Sequence, residues 1–192
     1  MKKLGILFGA ALIVVATPLA AQQTSDEEAV AVNGSVAGLC VLGTPSRNAV
    51  DLGQLIAVSG ARVGRMAALG SQQVTLPGSF CNFAGTALTV SAQAMLAADT
   101  NPVQPGFARA VNFTSTVGNW STQDATVATA ATAGGATPNA QAAGGTHPAP
   151  RIADLTLTLS GFSAPSDLLL VAGAYSGSVT ITLGPAATPA AD

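Results

Sequence analysis

The sequence predicts an all-β protein, an antiparallel β-sandwich, and two observations carry that prediction. Apolar residues alternate with polar or small residues at period two in six segments, the pattern of strands with one buried face. Glycine and proline punctuate the gaps between those segments, as turns require. Six or more short strands joined by turns are typical of a sandwich.

The six segments differ in which residues occupy their apolar and polar faces. From Glu28 to Cys40 the even positions are apolar or small, including Val30, Val32 and Val36, which predicts an extended first strand. The other five candidate strands lie around residues 74–81, 88–91, 111–117, 155–160 and 179–183. Threonine and serine fill their outward positions, as in a solvated antiparallel sheet. Pro77-Gly78 predicts an edge or a bulge in the second strand.

Two segments break this pattern. Residues 61–70 have apolar positions every three residues and fit a short helical turn slightly better than a strand. Residues 121–150 are of low complexity and rich in Ala, Thr and Gly, which predicts a long flexible loop between two strands. The tail at 186–192 is predicted to be disordered. The sandwich domain is expected to span 39–185, preceded by an extension at 22–38.

Composition excludes several classes of function. The chain has 192 residues, of which 48% are hydrophobic and only 8% charged, with a mean hydropathy of +0.47. Such a composition argues against charge-driven disorder. The sequence pI of about 5.1 leaves no basic footprint for nucleic acid.

The N-terminus has the three parts of a secretory signal peptide. Lys2 and Lys3 precede an apolar run from Leu4 to Ala16, and small residues follow Pro18. We therefore expect a signal peptide at 1–21 and export to the periplasm, the cell surface or the medium. The apolar run is shorter than the ~20 residues that span a bilayer, so we expect no integral membrane protein.

Cys40 and Cys81 are the only cysteines. An even count in an exported chain predicts a disulfide. Two cysteines and the single His147 do not make a four-ligand zinc site without carboxylates. We expect no metal and no cofactor.

The sequence offers no catalytic constellation. Nucleophilic catalysis needs a base beside the nucleophile, and the only histidine lies in the predicted loop. The aspartates fall at turns, where Asp commonly caps the chain. We expect no enzyme. Trp120 is expected to pack on the sandwich core, and Tyr175 to pack at a corner with its hydroxyl paired.

The order of short motifs resembles the spore coat protein U family, the archaic chaperone–usher pilin subunits of Gram-negative bacteria. An alternating strand ends in a Cys (VNGSVAGLC), Asp51-Leu52-Gly53 follows, and a second Cys precedes a strand containing Gly-Thr (FCNFAGTALTVSA). The chain closes on Gly-x-Tyr and an alternating strand (AGAYSGSVTITL). The resemblance implies an incomplete immunoglobulin-like sandwich, stapled between its first two strands. It also implies a periplasmic chaperone and an outer-membrane usher as partners.

An incomplete sandwich can be completed by a strand from a neighbouring copy. On this hypothesis Val30, Val32 and Val36 are donor-strand anchors, and the protein is a non-catalytic subunit of a surface fibre whose main partners are copies of itself. The alternative for these residues is an ordinary first strand inside their own sandwich. The alternative function is a self-complete periplasmic or secreted module that binds a glycan or a protein through loops such as 97–107 and 121–150.

Overall fold

The computed structural model describes residues 26–186. The predicted signal peptide at 1–21 and all but the first residue of the predicted tail at 186–192 lie outside these residues. The chain divides after Val36 into two units, which are described separately. In the first unit, residues 26–36 have no regular secondary structure and are exposed.

The second unit begins at Ala37, and its described part, residues 37–186, contains ten strands. They are β1 (Cys40–Val41), β2 (Gln72–Cys81), β3 (Thr86–Ala97), β4 (Phe107–Ala108), β5 (Ala110–Gly118), β6 (Ala125–Ala128), β7 (Ala140–Ala143), β8 (Arg151–Ser163), β9 (Leu169–Leu170) and β10 (Tyr175–Pro185). The only helical elements among residues 26–186 are two single 3₁₀ turns, Gly60–Arg62 and Pro165–Asp167.

The strands form two antiparallel layers joined by β5. One layer has the order β1-β2-β8-β5-β6, and the other has β10 and β7 on either side of β3. β5 pairs with β3 only at its first two residues, Ala110 and Val111, and then pairs with β8 and β6. A separate two-stranded parallel ladder joins β4 to β9. The all-β antiparallel sandwich is thus confirmed.

The main core lies between the two layers. Period two places the apolar residues of each strand on its inner face. Buried core residues from both layers pack together: Val74, Leu76, Leu88, Val90, Phe113, Val117, Leu155, Leu157 and Leu183. Trp120 joins them at 1% exposure and donates its indole N–H to the carbonyl oxygen of Thr86 at 3.3 Å. Its predicted packing on the core is confirmed.

The five later strand predictions are confirmed, and β2 carries the expected irregularity. Its register with β8 shifts between Leu76 and Ser79, on either side of Pro77-Gly78. Proline lacks the N–H that a regular ladder would use, so the strand bulges there.

The first predicted strand was too long. Only Cys40 and Val41 are in a strand, paired with Cys81 and Phe80. Alternation gives a segment one apolar side, but a strand also needs a neighbour for its backbone N–H and C=O groups. Residues 26–36 form no strand, although their sequence alternates.

The prediction of one long loop at 121–150 was also wrong. The segment contains β6 and β7, which pair with β5 and β3. Residues Ala125, Val127, Thr129 and Ala131 are buried at alternate positions. Three of these four buried residues are alanine or threonine, so the strand pattern has little hydrophobic contrast with the exposed alanines and threonines between them. Residues 61–70, for which a helical turn and a strand were both considered, contain elements of each. The 3₁₀ turn is followed by isolated β-bridges at Val63, Arg65 and Met66.

Candidate functional site

A groove of about 890 Å³ opens in the second unit. It runs between the segment that follows β1, residues 42–52, and the last strand, β10. Its apolar lining comes from both layers: Leu42, Val50, Leu52, Val74, Leu76, Met95, Phe113, Leu157, Leu159, Phe162, Val179 and Ile181. Most of these side chains belong to the main core, so the groove is an opening into the core.

One wall of the groove is set by the path of the chain after Val41. Gly43 crosses the β2 bulge so closely that a Cβ placed on it would lie 1.8 Å from the carbonyl oxygen of Pro77. Its N–H donates to the hydroxyl of Ser79 at 2.9 Å. Ser46 then returns to β2 through its N–H, which donates to the carbonyl oxygen of Thr75 at 2.8 Å. The segment therefore borders β2 and leaves the space towards β10 uncovered.

The other wall is β10, which has one unpaired edge. Within residues 26–186 it pairs with β3 alone, from Tyr175 opposite Ala97 to Pro185 opposite Thr86. Its odd-numbered residues Val179 and Ile181 line the groove, and its even-numbered residues from Ser176 to Thr182 are serine and threonine. An unpaired edge beside exposed core is a template for another strand.

The groove has an apolar floor and almost no charge. Among the described residues, Arg47 is the only charged one that lines the groove. Its guanidinium is held at the rim, where it donates to the carbonyl oxygen of Gln73 at 2.6 Å. Tyr175 stands at the far end and donates its hydroxyl to the carbonyl oxygen of Val171 at 2.9 Å, as its predicted pairing required. Burial raises the pKa of this hydroxyl, so it stays neutral. The lining holds no carboxylate and no imidazole, so the groove favours an uncharged, apolar occupant.

The predicted disulfide is confirmed and lies at the opposite end from Tyr175. Cys40 and Cys81 are bonded, with Cα atoms 4.1 Å apart. Cys81 is buried in the core, and Cys40 packs beside it. The bond fixes the point at which the chain enters the sandwich, directly before the groove begins at Leu42.

The predicted anchors lie in the first unit. Val30, Val32 and Val36 have side chains that are 87%, 92% and 89% exposed. Burial of a valine side chain is favourable by about 1.5 kcal/mol or more. Burial of these three side chains against another surface would therefore stabilise a complex. Their role as anchors stays a prediction.

His147 occupies a structural position. Its Nδ1 lies 2.8 Å from the carbonyl oxygen of Ala149, and its Nε2 lies 3.1 Å from a guanidinium nitrogen of Arg151. The ring also packs beside Trp120, with 6.1 Å between the ring centroids. No carboxylate and no nucleophilic side chain is among these partners, so the arrangement does not resemble an acid–base pair.

Two kinds of feature are absent from the described residues. No group of three or more His, Cys, Asp or Glu side chains within residues 26–186 is placed to hold a metal ion. In the same range, no helix has the length and apolar character to cross a membrane. The loop at 97–107 has an aspartate, Asp99, that accepts the N–H of Asn101 at 2.9 Å in a local turn.

No family model, curated protein sequence or solved structure matches the chain. The resemblance to the spore coat protein U family therefore stays a prediction, and the functional argument depends on the groove itself.

Sequence reasoning had not located the groove. Several of its floor residues, such as Val74, Phe113 and Leu157, were predicted to lie in strands, but nothing in their pattern shows which edge of the sandwich is left open. The one usable signal was the final strand, in which alternation at 179–183 places apolar residues on one side. The other wall, residues 42–52, has no alternation because it follows the β2 bulge and does not form a strand.

Proposed function

We propose that this protein is a non-catalytic, exported subunit of a surface fibre, and that it polymerises by β-strand donation. The segment at residues 26–36 of one copy fills the groove of the next copy. The observation that carries the proposal is the open groove itself, in which an unpaired strand edge runs beside uncovered core. An extended peptide suits such a groove because its backbone adds to the edge while alternate side chains enter the floor.

The lengths of the two parts are compatible. The alternating stretch from Val30 to Val36 has seven residues, and β10 has 11. At about 3.3 Å per residue, the stretch extends over roughly 23 Å and β10 over roughly 36 Å. The valine stretch can therefore run along about two thirds of the open edge.

The side-chain chemistry also agrees. Val30, Val32 and Val36 share one side of an extended chain, with the small Gly34 between them. The opposite side has Ala31, Asn33 and Ser35, which suit a solvent-facing surface. The valines meet a floor without carboxylates, whereas the acidic residues 26–28 precede the apolar stretch.

Donation of this kind builds a filament. The donor segment and the acceptor groove are different surfaces of the same chain, so the contact is head-to-tail and does not close on itself. Export through the predicted signal peptide would deliver the chain to an oxidising compartment, where the Cys40–Cys81 bond forms. The periplasmic chaperone and outer-membrane usher implied by the resemblance belong to this proposal, since an open groove needs protection before assembly.

The test compares two forms of the exported protein, produced in a periplasm without helper proteins. The long form begins at Gln22, and the short form begins at Ala37 and so lacks the donor segment. We expect the long form to give a ladder on an unboiled gel and large species by light scattering. The short form should be unstable until a peptide of residues 26–36 is added.

A different result would replace the proposal. If the long form is a cooperative monomer without a ladder, and the peptide does not stabilise the short form, the sandwich is complete by itself. The protein would then be better described as a binding module for a glycan or a protein.

A further inference from the structure

The four residues that enter the sandwich, Ala37 to Cys40, are held against the turn that follows β2. The side chain of Asn82 makes two of the contacts. Its amide Nδ2 donates to the carbonyl oxygen of Ala37 at 2.8 Å, and its Oδ1 accepts the N–H of Leu39 at 2.7 Å. The backbone N–H of Asn82 also donates to the carbonyl oxygen of Leu39 at 3.0 Å.

Phe83, in the same turn, also contacts the entry segment. The ring of Phe83 lies so close to Gly38 that a Cβ on Gly38 would be 3.2 Å from the ring. Glycine is also the residue at which a chain most easily reverses its direction. The contact with Phe83 and the two hydrogen bonds of Asn82 on either side keep Gly38 in the extended path.

The direction of this path matters for the groove. Residues 37–41 run antiparallel to residues 80–82, with Cys40 opposite Cys81 and Val41 opposite Phe80. The groove is lined only from Leu42 onwards, on the far side of the disulfide. An extended chain advances by about 3.3 Å per residue, so Leu39, Gly38 and Ala37 lie successively farther from Leu42, where the groove begins.

Residues 37–41 alone join the extension to the segment that lines the groove of the same chain. The extension could therefore fill its own groove instead of the groove of a neighbouring copy. A segment joined by a short flexible linker meets a nearby site at millimolar effective concentration, far above that of a separate subunit. To reach its own groove, the extension must reverse within residues 37–39. That reversal breaks both hydrogen bonds of the Asn82 side chain and lifts Gly38 from Phe83.

We propose that Asn82 is a positioning residue that keeps the N-terminal extension out of its own groove and so makes strand donation intermolecular. This inference rests on the proposed function, because it concerns the same donor segment and the same groove. It assigns a role to a residue that touches neither.

The test uses the full exported chain and the variant Asn82→Ala, with Asn101→Ala as the matched control. Asn101 is also an exposed asparagine, but it lies in the loop at 97–107, away from the entry segment. Oligomer size is measured by size exclusion with light scattering. A fluorescently labelled peptide of residues 26–36 then reports whether the groove of each monomer is open.

We expect Asn82→Ala to raise the ratio of monomer to polymer by roughly 30-fold, since two hydrogen bonds of ordinary net strength no longer oppose reversal. The monomer that accumulates should take up little peptide, because its groove is already filled by its own segment. Asn101→Ala should give the wild-type ladder.

Two results would overturn the inference while leaving the proposed function intact. One is a wild-type ladder from Asn82→Ala. The other is a monomer whose groove takes up the peptide freely, because such a groove is not self-filled. A wild-type chain that forms no ladder would refute strand donation and this inference together. If Asn82→Ala does not fold, Phe83→Ala removes the support under Gly38 and should shift the ratio in the same direction, and an unchanged ratio there counts against the inference.

Discussion

The sharpest prediction follows from the alternation of side chains between the two faces of the donor segment, residues 26–36. Val32 and Ala31 are adjacent and both exposed, yet an extended strand places them on opposite faces. If residues 26–36 fill the groove, Val32 faces its floor and Ala31 faces solvent. Aspartate at position 32 should therefore block binding, whereas aspartate at position 31 should be tolerated.

The expected magnitude follows from the exposure of Val32. Its side chain is 92% exposed, so nearly its whole apolar surface is available for burial. Loss of that burial costs about 1.5 kcal/mol at the low end, which weakens binding about tenfold. The carboxylate adds the cost of leaving water for a floor that offers it no partner, a further few kcal/mol. We expect Val32→Asp to weaken binding by roughly 100-fold or more, and Ala31→Asp by less than about threefold.

The assay produces the short form that begins at Ala37 in the presence of each 26–36 peptide. It compares how far the wild-type and variant peptides stabilise that form, and it follows displacement of a labelled wild-type peptide by fluorescence anisotropy. The two variant peptides have the same net charge, so electrostatic attraction to Arg47 at the rim contributes equally to both. The same substitutions in the full chain should separate in the same way on an unboiled gel. If Val32→Asp and Ala31→Asp weaken peptide binding equally, the argument from alternating faces is refuted, because the added charge alone would explain the loss.

Three further predictions concern the frame around the groove. Replacement of Cys40 and Cys81 by serine removes a cross-link between residues 41 positions apart and should lower the free energy of unfolding by about 4 kcal/mol in the chain-entropy model, as measured by urea denaturation. Gly43→Ala should destabilise by about 1–3 kcal/mol in the same assay, because its Cβ meets backbone that must shift; an unchanged midpoint would contradict the close crossing at the β2 bulge. A hydrogen bond from Arg62 lowers the pKa of Asp167, so this carboxylate stabilises the fold above its unfolded pKa and stops doing so as the pH falls. The melting temperatures of wild type and Asp167→Asn should differ slightly at pH 7 and converge under strongly acidic conditions.

The strands that the sequence predicted are those whose buried face consists of large aliphatic residues. In β8, Leu155 and Leu157 alternate with Thr156 and Thr158, and the contrast between the two faces is plain. In β6 the buried residues are Ala125 and Val127, and the next buried positions along the chain are a threonine and an alanine. The period is the same in both segments. Hydrophobicity differs little between alanine and threonine, so the second pattern was mistaken for a loop.

The groove could not be predicted from the sequence for a different reason. Alternation shows which side of a strand is apolar, but it does not show whether another strand covers it. Coverage depends on pairings between distant parts of the chain, such as β10 with β3 and β2 with β8. The Asn82 contacts are equally invisible, because an asparagine after a strand is an ordinary turn residue until its partners are known.

A fibre made in this way has a consequence at its end. Every internal copy has its groove filled by a neighbour, but the head-to-tail contact always leaves one copy with an empty groove. That copy exposes Val179, Ile181 and the core behind them, together with the free edge of β10. An open edge of this kind invites unspecific pairing. Strand donation therefore requires a terminal partner that presents an extended apolar segment and does not continue the chain, and such a partner should bind the short form that begins at Ala37 in competition with the 26–36 peptide.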